Sequence, residues 1–176
     1  MSIERCFEEG TVVPDLASTD KYDAIRELIR TAPVFRELSD LDSFEQSVIG
    51  REQLQTTAFG RGVAVAHGRV EGLDRLLIGL GLGRAGIPFD SPDGRPVHLL
   101  FVIASPPHMS REYLHALSTL VRVIREPAIR EAILAAGAAR EIETRIRDAI
   151  SRCLDLRLQL AAGAAARGGS PSPRAV

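Results

Sequence analysis

Lysine is almost missing from this chain: Lys21 is the only one, so nearly all of the 22 basic residues are arginine. Such usage follows genome base composition as readily as function and points to no activity. The basic residues face 23 acidic ones, for a formal net charge of −1. A chain balanced in this way has no overall electrostatic footprint for nucleic acid or for an anionic membrane. Cysteine is scarce too. Cys6 and Cys153 lie near opposite ends, with no CxxC pair and no histidine at ligand spacing. A disulfide framework is excluded, and reduced thiols are expected. No hydrophobic run approaches the ~18 residues of a membrane span. The opening MSIERCFEEG carries charge from residue 4 onward, with no apolar signal-peptide stretch. A cytoplasmic location without direct membrane insertion is the expectation.

Several catalytic signatures are also lacking. There is no GxxxxGK followed by Ser or Thr, and no GxSxG. The four histidines are His67, His98, His108 and His115, and no two of them form an HxxxH or HExxH pair that could anchor zinc. No metal and no cofactor are expected. A literal GxGxxG does occur at Gly81, Gly83 and Gly86, but Pro88 and Pro92 follow at once. A dinucleotide fingerprint needs a helix to open there, so these glycines are assigned to a twisted strand and its turn.

What the chain does have is ordinary globular composition: 176 residues, 45% hydrophobic and 26% charged. That length buries roughly 70% of the unfolded surface in one domain. Residues 11–14 read as a short strand. Ser18 and Thr19 offer cap oxygens to a helix with the stripe Ala24, Ile25, Leu28 and Ile29, stopped by Pro33. A second helix opens at Ser39, with Leu41, Phe44 and Val48 at helical spacing. Strands are expected at 62–68, ending at His67, and at 74–82 and 97–104; the last is apolar throughout, as in a strand covered on both faces. The segment 84–96 reads as a loop or hairpin connection. Leu114, Leu117, Leu120, Val121 and Ile124 mark one late helix, and Ile142, Ile146, Ile150, Cys153 and Leu154 another. The pattern predicts an α/β fold, a mixed sheet sandwiched between helices in three α/β/α layers. Its domain spans 1–161, and the low-complexity segment 162–176 is expected to be a disordered tail.

Among the histidines, His98 alternates into a strand and reads as structural. His67 differs, because it closes the apolar strand Gly62-Val-Ala-Val-Ala-His67-Gly68. A strand end holds the ring by its backbone yet leaves it open to solvent. Neutral imidazole is a nucleophile near pH 7, and phosphoramidate formation needs one free nitrogen while the other is oriented.

Further residues fall into place around it. Arg51-Glu52, Thr56-Thr57, Gly60, the strand ending in His67-Gly68, the stretch Pro88 to Gly94, Pro96-Val-His-Leu-Leu-Phe101 and His115-Ala-Leu-Ser-Thr-Leu120 follow one another in order. Over residues 5 to 155 the chain resembles the IIA component of the phosphoenolpyruvate-dependent sugar phosphotransferase system, fructose/mannitol type, which includes the nitrogen-regulatory IIA proteins. It departs from that pattern at Ala66, where the family has proline, at Ala58-Phe59 in the turn, and at Ala116, where leucine usually stands.

The resemblance implies a phosphotransferase whose His67 receives a phosphoryl group from an HPr-type phosphocarrier, with Arg51 and His115 completing the site. Planar, bidentate guanidinium suits Arg51 to clamping phosphoryl oxygens. The FDSPDGRPV and RVIREPAIRE stretches look like the nitrogen-regulatory branch. The alternatives are a sugar-uptake component passing the group to a separate IIB, and a binding module that transfers nothing. The sugar, the downstream target and the oligomeric state stay open.

Overall fold

A computed structural model of the protein describes residues 3–7 and 9–167. Five strands form one mixed sheet: β1 (Val12–Val13), β2 (Ala58–Gly60), β3 (Val63–Arg69), β4 (Leu77–Ile87) and β5 (Val97–Ser105). Their spatial order is β1-β4-β5-β3-β2. The apolar run at 97–104 becomes the central strand, parallel to β3 and antiparallel to β4. Of its residues only His98 is incompletely buried, which is why the run lacks the alternation of a half-solvated strand. His98 is held as a structural histidine, its Nδ1 3.0 Å from the Gly83 carbonyl.

Helices cover both faces, which makes three layers. On one side lie α1 (Lys21–Thr31) and α2 (Leu41–Leu54); on the other lie α3 (Ser110–Ile124), α4 (Pro127–Ala135) and α5 (Ala139–Arg167). The stripe Ala24, Ile25, Leu28 and Ile29 packs with Phe35, Phe44 and Val48 onto Ala64, Ala66, Leu100 and Val102. Across the sheet, Val63, Val65, Phe101 and Ile103 meet Leu120, Ile124, Ile142, Ile146 and Ile150. Each fully buried Val, Leu, Ile or Phe among them contributes about 1.5–3 kcal/mol.

The helix starts differ from the expected ones by a residue or two, and the reason is that a charged carboxylate accepts more strongly than a hydroxyl. Asp20 caps α1, accepting from the backbone N–H of Tyr22 at 2.8 Å and of Asp23 at 3.2 Å. Ser18, expected as the cap, donates instead to Glu27 Oε2 at 2.6 Å. Asp40, not Ser39, caps α2 by accepting from the Ser43 N–H at 2.9 Å. A carboxylate next to the first turn also meets the helix dipole, so it takes the position.

Strand β4 runs on to Ile87, so the connection expected over 84–96 is shorter than its sequence suggested. The GxGxxG glycines lie in this strand because neighbours press on it. A Cβ at Gly81 would stand 2.6 Å from Leu16 Cδ1, and one at Gly83 2.5 Å from Ile87 Cδ1. At the other end, α5 continues to Arg167, so residues 162–167 of the expected tail have helical backbone. Residues 168–176 lie outside the described residues.

Candidate active site

Strand alternation aims the site. Along β3, Val63 and Val65 face α3 and α5, while Ala64 and Ala66 face α1 and α2. The period of two then sends His67 and Arg69 to the first face and Gly68 to the second. The strand does not end at the histidine, because Gly68 pairs with Ala104 and Arg69 with Ser105. Gly68 is required by packing: a Cβ there would stand 2.8 Å from Val48 Cγ2 and 3.1 Å from Phe44 Cε2. The residue after the histidine therefore lets α2 lie directly on the strand that carries it.

His67 is half-buried, with its Nδ1 3.2 Å from the Val65 carbonyl oxygen. A carbonyl only accepts, so the neutral ring keeps its proton on Nδ1 and its lone pair on Nε2. The ring lines two clefts. One, of about 590 Å³, is walled by Arg51, Thr57, Phe59, Arg61, Val65, Leu117, Val121 and Arg125. The other, of about 270 Å³, adds Ser47, Arg69, Ser105 and Tyr113, and Arg51 belongs to both.

Arg51 sits in the last turn of α2, where its Nη1 donates to the Gln55 carbonyl at 3.0 Å. A cation there complements the helix dipole. Glu52, the next residue, points the other way and is buried. Its Oε2 accepts from the Thr57 N–H at 2.8 Å and from Thr57 Oγ1 at 2.5 Å, while Lys21 Nζ lies 3.6 Å from Oε1. The Arg51-Glu52 pair thus divides its work. Arginine lines the clefts, and glutamate pins the turn that leads into β2. The next turn, Gly60-Arg61-Gly62, is held with Arg61 at φ 61°, its N–H bonded to Asp93 Oδ2 at 2.7 Å.

Arg69 and Tyr113 were not singled out from the sequence. Arg69 Nη1 donates to the Pro106 carbonyl at 3.2 Å and Nη2 to Ser110 Oγ at 3.2 Å, which fastens β3 to the start of α3. Its guanidinium carbon lies 5.9 Å from the Tyr113 ring centre, and that ring lies 5.4 Å from the His67 ring. The signal for Arg69 was its place two residues after His67 on one strand face.

His115 is the third residue that the sequence analysis named. It is exposed on α3 and lines neither cleft that His67 lines. Residues two apart on a helix face away from each other. With Tyr113, Leu117 and Val121 turned toward the clefts, His115 points elsewhere. Arg51 and His67 are brought together; His115 is not.

The charges favour a neutral nucleophile. Burial first, then the positive charges of Arg51 and Arg69, hold the His67 imidazole below its ordinary range, against the opposing pull of the Val65 carbonyl. Burial raises the Tyr113 phenol, which keeps it a proton-bearing donor. Among the described residues no group of three or more His, Cys, Asp or Glu side chains could hold a metal ion. Among them, too, no helix is long and apolar enough to cross a membrane.

Fold and site together define a class: three-layer α/β/α proteins that present a histidine on a sheet strand, inside a cleft walled by arginine. The family described as "Phosphoenolpyruvate-dependent sugar phosphotransferase system, EIIA 2" matches residues 5–149, and the chain belongs to it. A nitrogen regulatory protein of Bradyrhizobium diazoefficiens is 31% identical over 142 residues, covering 81% of this chain and 92% of that protein. The fructose-specific EIIABC component of Bacillus subtilis is 28% identical over 136 residues, 77% of this chain, and the match spans only 21% of that longer protein. The crystal structure of nitrogen regulatory protein IIA-Ntr from Neisseria meningitidis has a TM-score of 0.74 at 28% identity, covering 81% of this chain and 97% of its own. The chain is thereby a phosphocarrier-type EIIA, with a phosphotransferase role of the general kind its family performs.

Proposed function

We propose that His67 accepts a phosphoryl group on Nε2 from an HPr-type phosphocarrier in the cytoplasm and passes it on, in a nitrogen-regulatory role. The observation that carries this reading is the Nδ1 contact to the Val65 carbonyl, which leaves Nε2 with the lone pair in a half-buried ring between arginines. In the transfer, Nε2 forms its bond to phosphorus as the carrier's own N–P bond breaks. The electron pair returns to the carrier's imidazole, whose other nitrogen bears a proton, so that ring leaves neutral. The phosphorylated His67 keeps its Nδ1–H against Val65. Arg51 meets the phosphoryl oxygens, and the Arg69 and Tyr113 side chains of the smaller cleft supply further donors. Phosphoryl transfer asks mainly for such positioning and charge stabilisation.

The regulatory role is supported by the near full-length likeness to a nitrogen regulatory protein. A sugar-uptake role, with the group passed to a separate IIB, is favoured by the likeness to a fructose-specific component. The test is labelling with radioactive phosphoenolpyruvate, enzyme I and an HPr-type carrier. Wild type should acquire an acid-labile label that His67→Ala lacks. An unlabelled wild type, or equal label on His67→Ala, overturns the assignment. Discharge of the labelled protein by a fructose-type IIB decides for uptake; resistance to it decides for regulation.

A further inference from the structure

Strand β2 stops short of the histidine. Ala58 and Gly60 pair with Ala64 and Val63, and the next bond on that side runs from the Val65 N–H to the Thr57 carbonyl at 3.1 Å. Beyond Val65, β3 has no strand neighbour on this edge, and helix α2 packs there instead. Phe44, Val48 and Ile49 bury one side of α2. Ser47 and Arg51, one turn apart at i and i+4, share another side, and both line the smaller cleft with His67.

Packing fixes where the Ser47 hydroxyl stands. Helix α2 lies so close to Gly68, the residue after the histidine, that a Cβ on this glycine would stand 3.2 Å from Ser47 Oγ. Hydroxyls inside helices often turn back to a carbonyl of the preceding turn. Thr31 and Thr144 do so, donating to the Glu27 and Arg140 carbonyls at 2.6 and 2.9 Å. Ser47 does not: among the described residues its hydroxyl has no hydrogen-bond partner. The neighbouring serines are engaged. Ser105 Oγ is buried and donates to the Gly68 carbonyl at 3.5 Å, and Ser110 Oγ donates to the Pro107 carbonyl at 3.1 Å. Arg51 and Arg69 each already give one N–H to a backbone carbonyl, of Gln55 and of Pro106. Ser47 thus brings an uncommitted donor to a cleft whose histidine is to carry three acceptor oxygens.

We propose that the Ser47 hydroxyl donates a hydrogen bond to an oxygen of the phosphoryl group on His67 and is a further catalytic residue of the transfer. The inference rests on the reading of His67 as a phosphoryl carrier. Ser47 keeps its proton throughout, and no covalent bond to it forms or breaks. Because the donor is neutral, it orients the group without adding to the positive charge that holds it. That suits a carrier which must release the group as well as accept it.

The test labels the whole chain with radioactive phosphoenolpyruvate, excess enzyme I and a limiting HPr-type carrier. The labelling rate and the melting midpoint are measured for wild type, Ser47→Ala, Ser47→Thr and Ser47→Asp. Ser47→Ala should be labelled roughly tenfold more slowly, the loss of one hydrogen bond to a charged group. Its melting midpoint should hold or rise, because alanine is the better helix former. Ser47→Thr keeps the hydroxyl and should recover most of the rate. Ser47→Asp sets a carboxylate against the incoming phosphoryl group and should be slower than Ser47→Ala. A Ser47→Ala rate equal to wild type, or a Ser47→Thr as slow as Ser47→Ala, overturns the proposal and leaves His67 as the carrier. So does a slowing of Ser47→Ala that comes with a lowered melting midpoint, since it assigns Ser47 to the packing of α2. An unlabelled wild type overturns the carrier reading and this proposal together.

Discussion

The Tyr113 ring lies 5.4 Å from the His67 ring at an interplanar angle of 45°. It therefore walls the smaller cleft from α3, while Arg69 closes it from β3. Burial pushes the phenol further above its ordinary value of 10.0, so it bears its proton near neutrality and can donate to a phosphoryl oxygen.

Tyr113→Phe keeps the ring and removes only that donor. Phosphoryl transfer to His67 should slow by about tenfold, the worth of one hydrogen bond to a charged group. Tyr113→Ala should slow it further by loosening His67, whereas His115→Ala should leave the rate within about twofold of wild type. Quench-flow labelling of the three variants checks the order.

The rate should depend on pH with a definite sign. Only neutral imidazole attacks, and His67 is held below its ordinary value of 6.5 by burial and by Arg51 and Arg69. Transfer should be flat above neutrality and fall only as pH drops through a midpoint lower than 6.5. Arg69→Gln should raise that midpoint. Stability follows the same window: the unfolded chain binds the proton first, so the folding free energy contributed by His67 is present above 6.5 and is lost as pH falls toward the folded value. Ring-proton NMR of His67 against pH measures the midpoint directly.

Glu52 is fully buried, with Thr57 and Lys21 as its partners. Glu52→Ala strands the Thr57 N–H and leaves Lys21 with Asp90 alone, 2.7 Å from its Nζ, and should cost about 2–3 kcal/mol in chemical denaturation. Because Glu52 pins the turn before β2, the same variant should lose transfer activity even where it is still folded. Glu52→Gln keeps one acceptor and should be milder on both counts.

Gly68→Ala should destabilise by about 1–3 kcal/mol, since the new methyl meets Val48 and Phe44 at or below contact distance. A shift of α2 away from β3 would carry Arg51 with it. Transfer should therefore fall more than unfolding alone explains, as read by rates measured well below the denaturation midpoint. Gly72→Ala has open space around it, and its left-handed φ of 80° should cost stability without slowing transfer.

The three layers were legible because apolar periodicity is a local record of burial. The stripe Ala24 to Ile29 and the run 97–104 each announce which face is covered. The histidine stood out for a similar reason, as a polar residue late in an otherwise buried strand, and the two residues by which β3 outruns it carry no apolar signal. The cap positions were off by a residue or two because hydroxyl and carboxylate side chains crowd both helix starts, Ser18-Thr19-Asp20 and Ser39-Asp40, and the sequence does not rank neighbouring acceptors. The length of β4 was hidden by its glycines. In isolation they signal a turn, and only the side chains of Leu16 and Ile87 pressed against them show why they lie in a strand.

What the sequence determined by itself was the kind of fold and the family pattern. These rest on spacing within single elements and on the order of elements along the chain. The tertiary structure alone decided which residue of α3 confronts the histidine. A helix turns by about 100° per residue, so Tyr113 and His115 cannot share a face, and the choice between them is made by how α3 packs on the sheet through Ala116, Leu120, Val123 and Ile124. The same packing turns Leu114 and Arg122 outward along one cleft of α3, a juxtaposition that no count of charges along the chain contains.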